Sequence, residues 1–155
     1  MKVVFPGSFD PITIGHINLI ERASALADEL FVVVVDNTAK KTLFSKEDRL
    51  AMLNMAVKSF TNVRTESFDG LTVEYCRRVG ANYIVRGLRN PLDYVFEEDI
   101  AAVNRKLGCI ETIFLLSEGR YDHISSSIVR ELIAFGADLE GFVPESAREF
   151  IKKVR

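Results

Sequence analysis

The sequence is poor in the residues that staple or metallate small proteins. It has two cysteines in 155 residues, Cys76 and Cys109. They lie far apart and form no Cys-x-x-Cys unit, which argues against a zinc site or a disulfide framework. Two buried free thiols in a reducing compartment are expected instead. Charge of one sign is also lacking, since the formal net charge is −2. That balance disfavours a protein built to coat nucleic acid, which needs a basic face, but leaves room for a local basic pocket. No apolar run approaches the roughly 20 residues that cross a bilayer. The longest, Leu30–Val35, is a fraction of that. A first strand beginning near residue 2 leaves no space for a secretory signal, so a cytoplasmic location without membrane contact is expected. Repeats, low-complexity tracts and linker-like stretches are missing too. The chain reads as one domain, 1–155, long enough to bury a core.

What is present alternates. Apolar residues make up 48% of the chain and charged residues 27%, as in ordinary globular proteins. Short apolar runs at Lys2–Phe5, Leu30–Val35, Val63–Phe68, Tyr83–Arg86 and Ile110–Leu116 predict five strands. Helical spacing predicts helices over His16–Ala27, from the Ser45 cap onward, over Leu71–Val79, Leu92–Leu107 and Ser125–Phe135, and from Pro144 to about Val154. Gly80, Gly108 and Gly136 read as stops. Strands separated by helices imply right-handed crossovers and a parallel sheet covered on both faces. Ligands of such sheets bind beyond the carboxyl ends of the strands. The chemically suggestive residues fall there: Ser8 and Gly15-His16 after strand one, Lys40 and Lys41 after strand two, Arg86 and Arg89 after strand four, and Tyr121–Ser127 after strand five.

The first loop, Pro6 to His16, carries neither a Gly-x-Gly-x-x-Gly fingerprint nor a Gly-Lys-Ser/Thr P-loop. It does deliver a glycine and one of only two histidines to a helix entrance, where free N–H groups and the helix dipole favour anions. Ser125-Ser126-Ser127 opens another helix with three hydroxyls, where a plain cap needs one. Asp93 and Glu97, four apart on one helix face, can hold Arg86 and Arg89 as ion pairs or help them orient a phosphate.

Thr13-Ile14-Gly15-His16 resembles the (His/Thr)-x-Gly-His signature of the nucleotidyltransferase superfamily, and Ile124–Arg130 resembles its Ile-Ser-Ser-Thr/Ser-x-x-Arg signature. Arg86-Gly87-Leu88-Arg89 with Asp93 and Glu97, Pro6–Thr13, and Lys40-Lys41 before Phe44 are similar to the phosphopantetheine adenylyltransferase family. The likeness runs from Val3 to at least Pro144. Ser8 replaces that family's usual threonine, His123 stands where a phenylalanine is usual, and Pro91 alters the start of the long helix. The resemblance implies a Rossmann-like, doubly wound α/β domain that moves AMP from ATP to 4′-phosphopantetheine and releases pyrophosphate.

A phosphate monoester is mostly dianionic at pH 7, so no general base is needed; charge must be neutralised instead. By resemblance, His16 donates to the α-phosphoryl oxygen, Lys40 lies between the substrates, and Ser8 meets the incoming phosphate. Arg89 and Ser125–Ser127 hold the β- and γ-phosphates, with Arg89, Ser126 and Ser127 counted among the catalytic residues alongside His16 and Lys40, and Ser8 also reaches the ATP side. Arg86 and Thr72 face pantetheine. Phe9, Gly87, Leu88, Glu97, Tyr121, Asp122, His123 and Ile124 complete the nucleotide site. Mg²⁺ is expected to arrive with ATP, without protein ligands. A homohexamer and feedback inhibition by coenzyme A are implied by the same kinship. A sibling enzyme using another small phosphate, and a nucleotide-binding sensor without turnover, are the competing readings.

Overall fold

The computed structural model describes residues 1–36 and 41–155. Five strands, β1 (Lys2–Gly7), β2 (Glu29–Val35), β3 (Val63–Phe68), β4 (Tyr83–Leu88) and β5 (Glu111–Leu116), form one sheet in the order β3-β2-β1-β4-β5. Every pairing is parallel, with Phe5 opposite Val32 and Val4 opposite Ile84. The chain winds outward from β1 in one direction to β3, then crosses back and winds the other way through β4 and β5. The reversal lies between β1 and β4, where a crevice opens beyond the strand ends.

Side chains alternate across the sheet. Val3, Phe5, Val32, Val34 and Val85 face one core with α1 (Ile14–Leu26), α2 (Lys46–Ala56), α5 (Ser126–Ala134) and α6 (Glu145–Val154). Val4, Phe31, Val33 and Ile84 face a second, smaller core against α3 (Thr72–Val79), whose Val73, Tyr75 and Cys76 are buried. α4 (Pro91–Gly108) packs beside α3, yet the only residue it buries fully is Glu97. At the end of α1, Leu26 is 55% exposed, whereas the C-cap residue Ala27 is buried.

Three local expectations change. Gly108 is the last residue of α4, and the left-handed turn falls on Cys109, at φ 53°. Gly108 is needed for another reason: a Cβ there would sit 3.2 Å from Val73 Cβ and 3.0 Å from Ile110, where α4 approaches α3. Cys109 is therefore exposed at a helix end, whereas Cys76 is buried, with its thiol pushed up to about 11 by desolvation. A single 3₁₀ turn, Gly119–Tyr121, follows β5 where the sequence shows no helical period.

Candidate active site

The crevice beyond β1 and β4 holds a cavity of about 300 Å³. Three segments build most of it: the first loop through Ser8, Asp10, Thr13 and His16; the end of β4 and start of α4 through Arg86, Gly87, Arg89, Asp93 and Glu97; and Tyr121 with Ile124–Ser127 and Arg130. Lys41 and Thr42, from the connection after β2, add a fourth wall.

His16 stands at the third position of α1, and the helix start fixes it. Thr13 is the N-cap in extended conformation, and its hydroxyl accepts the His16 N–H at 3.3 Å. In return the Thr13 N–H donates to His16 Nδ1 at 3.1 Å, with the Thr13 hydroxyl 3.0 Å from the same nitrogen. This is a capping box in which an imidazole replaces the usual Glu or Gln. An Nδ1 that accepts an amide proton carries none of its own, so the neutral ring bears its proton on Nε2. Phe9 holds the ring edge-on at 5.1 Å between centroids. Desolvation, then the charges of Arg89 and Arg86, lower the His16 pKa to about 4. At neutral pH the cavity is thus offered an uncharged, oriented Nε2–H donor.

The two arginines are held differently. Arg86 reaches Glu97 through Nε at 2.8 Å and Nη2 at 2.5 Å, and donates from Nη1 to the Pro6 carbonyl at 2.7 Å. Glu97 is 7% exposed, so this pair ties α4 to β1 and β4. Arg89 is more open, 41% exposed at its side chain, and lies against Asp93 at 3.0 and 3.2 Å. Burial pushes the Asp93 carboxyl up, but hydrogen bonds from the Arg89 side chain and amide, with the charges of Arg89 and Arg86, more than offset it and leave it below its ordinary value. Both carboxylates hold arginines, and both arginines face the cavity.

The serine run divides its labour. Ser125 caps α5 by accepting the Ile128 N–H at 3.2 Å. Ser126 donates to the Pro11 carbonyl at 2.8 Å, fastening α5 to the first loop. Ser127 accepts from Arg130 at 3.0 Å and keeps its own proton for a further acceptor.

Of the residues expected here, Ser8, Phe9, His16, Arg86, Gly87, Arg89, Glu97, Tyr121 and Ile124–Ser127 line one cavity. Phe9 does so with a buried ring, at φ 45°, so its contribution is shape. Four others stand apart from it. Leu88 is buried at the end of β4, and Asp122 and His123 are exposed directly after the 3₁₀ turn. Thr72 opens α3 at the same edge of the sheet, beyond the cavity wall. Lys40 lies outside the described residues. Sequence reasoning missed Asp10, Leu19, Ser117 and Thr42, gave Arg130 no role within its motif, and passed over Lys41 in favour of its neighbour. Leu19 carries no signal in the sequence beyond that of one more apolar residue on α1. It packs over Gly87, where a Cβ would come within 2.3 Å of its Cδ1.

The family model described as cytidylyltransferase-like matches residues 4–132. The phosphopantetheine adenylyltransferase of Limosilactobacillus reuteri (strain DSM 20016) is 47% identical over 99% of this chain and 90% of its own length. That of Flavobacterium psychrophilum is 47% identical over 95% of this chain and 97% of its own. The enzyme of the same name from Symbiobacterium thermophilum is 50% identical over 93% of this chain and 90% of its own. Likeness of this depth across nearly the whole length places the chain in the phosphopantetheine adenylyltransferase family, on a cytidylyltransferase-like domain.

Proposed function

We propose that this protein transfers the adenylyl group of ATP to 4′-phosphopantetheine, giving dephospho-coenzyme A and pyrophosphate. The observation that carries the reading is the neutral His16 donor set by its capping box, facing two arginines and the Ser125–Ser127 turn across one cavity. A phosphate oxygen of the acceptor attacks the α-phosphorus. The bond from that phosphorus to the bridging oxygen breaks, and its electrons leave with pyrophosphate. No proton has to move, because the attacking monoester is already largely dianionic. The protein's work is to neutralise charge and align the groups. His16 Nε2–H meets the α-phosphoryl oxygen, Arg89 and Ser127 take the departing phosphates, and Ser8 and Arg86 face the acceptor. Lys40 is assigned a place between the two substrates on family grounds.

Magnesium enters as part of the ATP substrate. The three carboxylates lining the cavity are all engaged: Glu97 with Arg86, Asp93 with Arg89, and Asp10 with backbone amides. Among the described residues no cluster of three metal-ligating side chains occurs, and Mg²⁺ commonly keeps phosphate and water ligands. Self-association is part of the proposal. Leu92, Val95, Phe96, Val103 and Leu107 form an exposed apolar stripe along α4, and Leu116 on the neighbouring edge strand is 69% exposed. A ring of subunits, a hexamer by kinship, would cover them. Coenzyme A, which combines both halves of the product, is proposed to inhibit by occupying the same crevice. The proposed location is the cytoplasm; no helix among the described residues is long and apolar enough to cross a membrane.

The test mixes the protein with ATP, Mg²⁺ and 4′-phosphopantetheine and measures pyrophosphate. Release that requires this acceptor is expected. Release with CTP and glycerol 3-phosphate would identify a sibling enzyme, and tight nucleotide binding without release would identify a sensor.

A further inference from the structure

Asp10 has no part in the reaction as described, yet it is one of the few charged residues the fold buries, at 2% exposure. Its carboxylate accepts two consecutive backbone N–H groups from another segment, Leu43 at 2.8 Å and Phe44 at 2.9 Å. Those amides follow directly on Lys41 and Thr42, which line the cavity. A bond from a carboxylate to an amide is charge-assisted, and two from adjacent residues fix a backbone's orientation as well as its distance. The Asp10 side chain also lies 3.7 Å from Arg130, whose Nη1 donates to the Asp10 carbonyl at 2.7 Å.

The other end of the same connection is tied to the same loop. Asp36, just past β2, pairs with Arg49 at 2.6 Å and with Lys46 at 2.8 Å. Arg49, 2% exposed, also donates to the Ser8 carbonyl at 2.9 Å. The connection that carries Lys41 and Thr42 is therefore pinned to the His16 loop before and after those residues. Each tie runs through a charged residue that is 2% exposed, Asp10 in one and Arg49 in the other.

We propose that Asp10 is a positioning residue for adenylyl transfer: through the Leu43 and Phe44 amides it sets where the Lys41–Thr42 wall stands relative to His16. The inference rests on the adenylyltransferase reading. It predicts a loss in turnover, because catalysis by alignment is sensitive to displacements of about 1 Å, which cost on the order of 10²-fold.

Two measurements test it together: hydrogen exchange of the Leu43 and Phe44 amides, and steady-state kinetics with an ATP dissociation constant determined without acceptor. In the wild-type protein both amides should be protected. In Asp10→Asn, whose amide oxygen can serve one N–H while its NH₂ repels the other, their exchange should rise while amides of β1 and β4 keep their protection. Turnover should fall by on the order of 10²-fold, with ATP affinity changing far less than kcat. Free exchange at both amides in the wild type overturns the proposal. So does faster exchange with unchanged kcat, or a loss of ATP affinity that matches the loss of kcat. If Asp10→Asn does not fold, Asp10→Ser and the wild-type exchange rates decide it on the same criteria. Failure of the wild type to release pyrophosphate would refute the parent reading and is told apart from these results, since exchange does not depend on turnover.

Discussion

His16 offers a test in which the structure sets both sign and size. Its pKa is lowered from 6.5 to about 4, first by desolvation and then by Arg89 and Arg86. Between those values the unfolded chain binds a proton that the folded protein does not. Folding stability must therefore rise with pH across this window and fall as the pH drops from 6.5 toward 4. A drop from 6.5 to 4, at roughly 1.4 kcal/mol per pH unit, amounts to about 3 kcal/mol in full, of which about 2 kcal/mol is already lost at pH 5. Paired carboxylates such as Asp93 add a slope of the same sign at lower pH, so the quantity to compare is the difference between wild type and His16→Ala. Urea unfolding at pH 7, 6 and 5 should show the wild type losing about 2 kcal/mol more than the variant over that range.

The ring can also be observed directly. The chain has two histidines, so ¹⁵N imidazole spectra of wild type and His123→Gln assign His16 without ambiguity. Its proton should sit on Nε2, since Nδ1 accepts from the Thr13 amide. Its titration should fall near pH 4 in the free protein and move upward when ATP brings phosphate charge beside Arg89. The rate consequence of His16→Ala is a loss of roughly 10²–10³ in kcat, the usual effect of deleting one transition-state donor, with ATP still bound. A midpoint near 6.5, a proton on Nδ1, or an unaltered kcat would refute the argument.

Gly87→Ala should cost about 1–3 kcal/mol in thermal unfolding, because the new methyl meets Leu19 Cδ1 at 2.3 Å. Adding Leu19→Ala should return part of that loss. Glu97→Gln should destabilise by roughly 1–3 kcal/mol, since it leaves the half-buried Arg86 guanidinium short of acceptors. Asp93→Asn should cost less, under about 1 kcal/mol, because the Arg89–Asp93 pair is more exposed than Arg86–Glu97; equal losses in urea unfolding would contradict this difference in burial. Replacing Val95 and Phe96 together by Glu should lower the mass seen in sedimentation without unfolding the chain, as both are already exposed in the single subunit, at 62% and 65%. A wild-type protein that sediments as a monomer would remove the assembly proposal.

The sheet could be read from the sequence because its central strands β1 and β2 are buried on both faces and its strands alternate with helices. Val32, Val33 and Val34 advertise a central strand whatever their neighbours do. Strand ends were read short where the apolar signal stops. β4 continues past Arg86 through Gly87 and Leu88 because the ladder to β5 persists, and the ladder is made of backbone. The loops that carry chemistry were legible as positions, through glycine, histidine and serine at helix starts. Their internal bonding was not. Nothing in the string Ser125-Ser126-Ser127 shows that the middle hydroxyl bonds a carbonyl 115 residues away. Asp10 was hidden for the same reason, since its partners are amides, which every residue has.

That hidden layer follows from the chemistry. The reaction proposed here, without a general base, depends on donors standing where charge will develop, and mobile donors waste the binding they supply. Each polar group facing the cavity therefore needs a second partner behind it. The Thr13 amide stands behind His16, Glu97 and Pro6 behind Arg86, Asp93 behind Arg89, and Arg130 behind Ser127. Asp10 does the same for the Lys41–Thr42 wall through two amides. The motif residues announce the surface that faces the cavity. The partners behind them determine whether that surface holds its shape, and substitutions there should reach kcat while sparing nucleotide affinity.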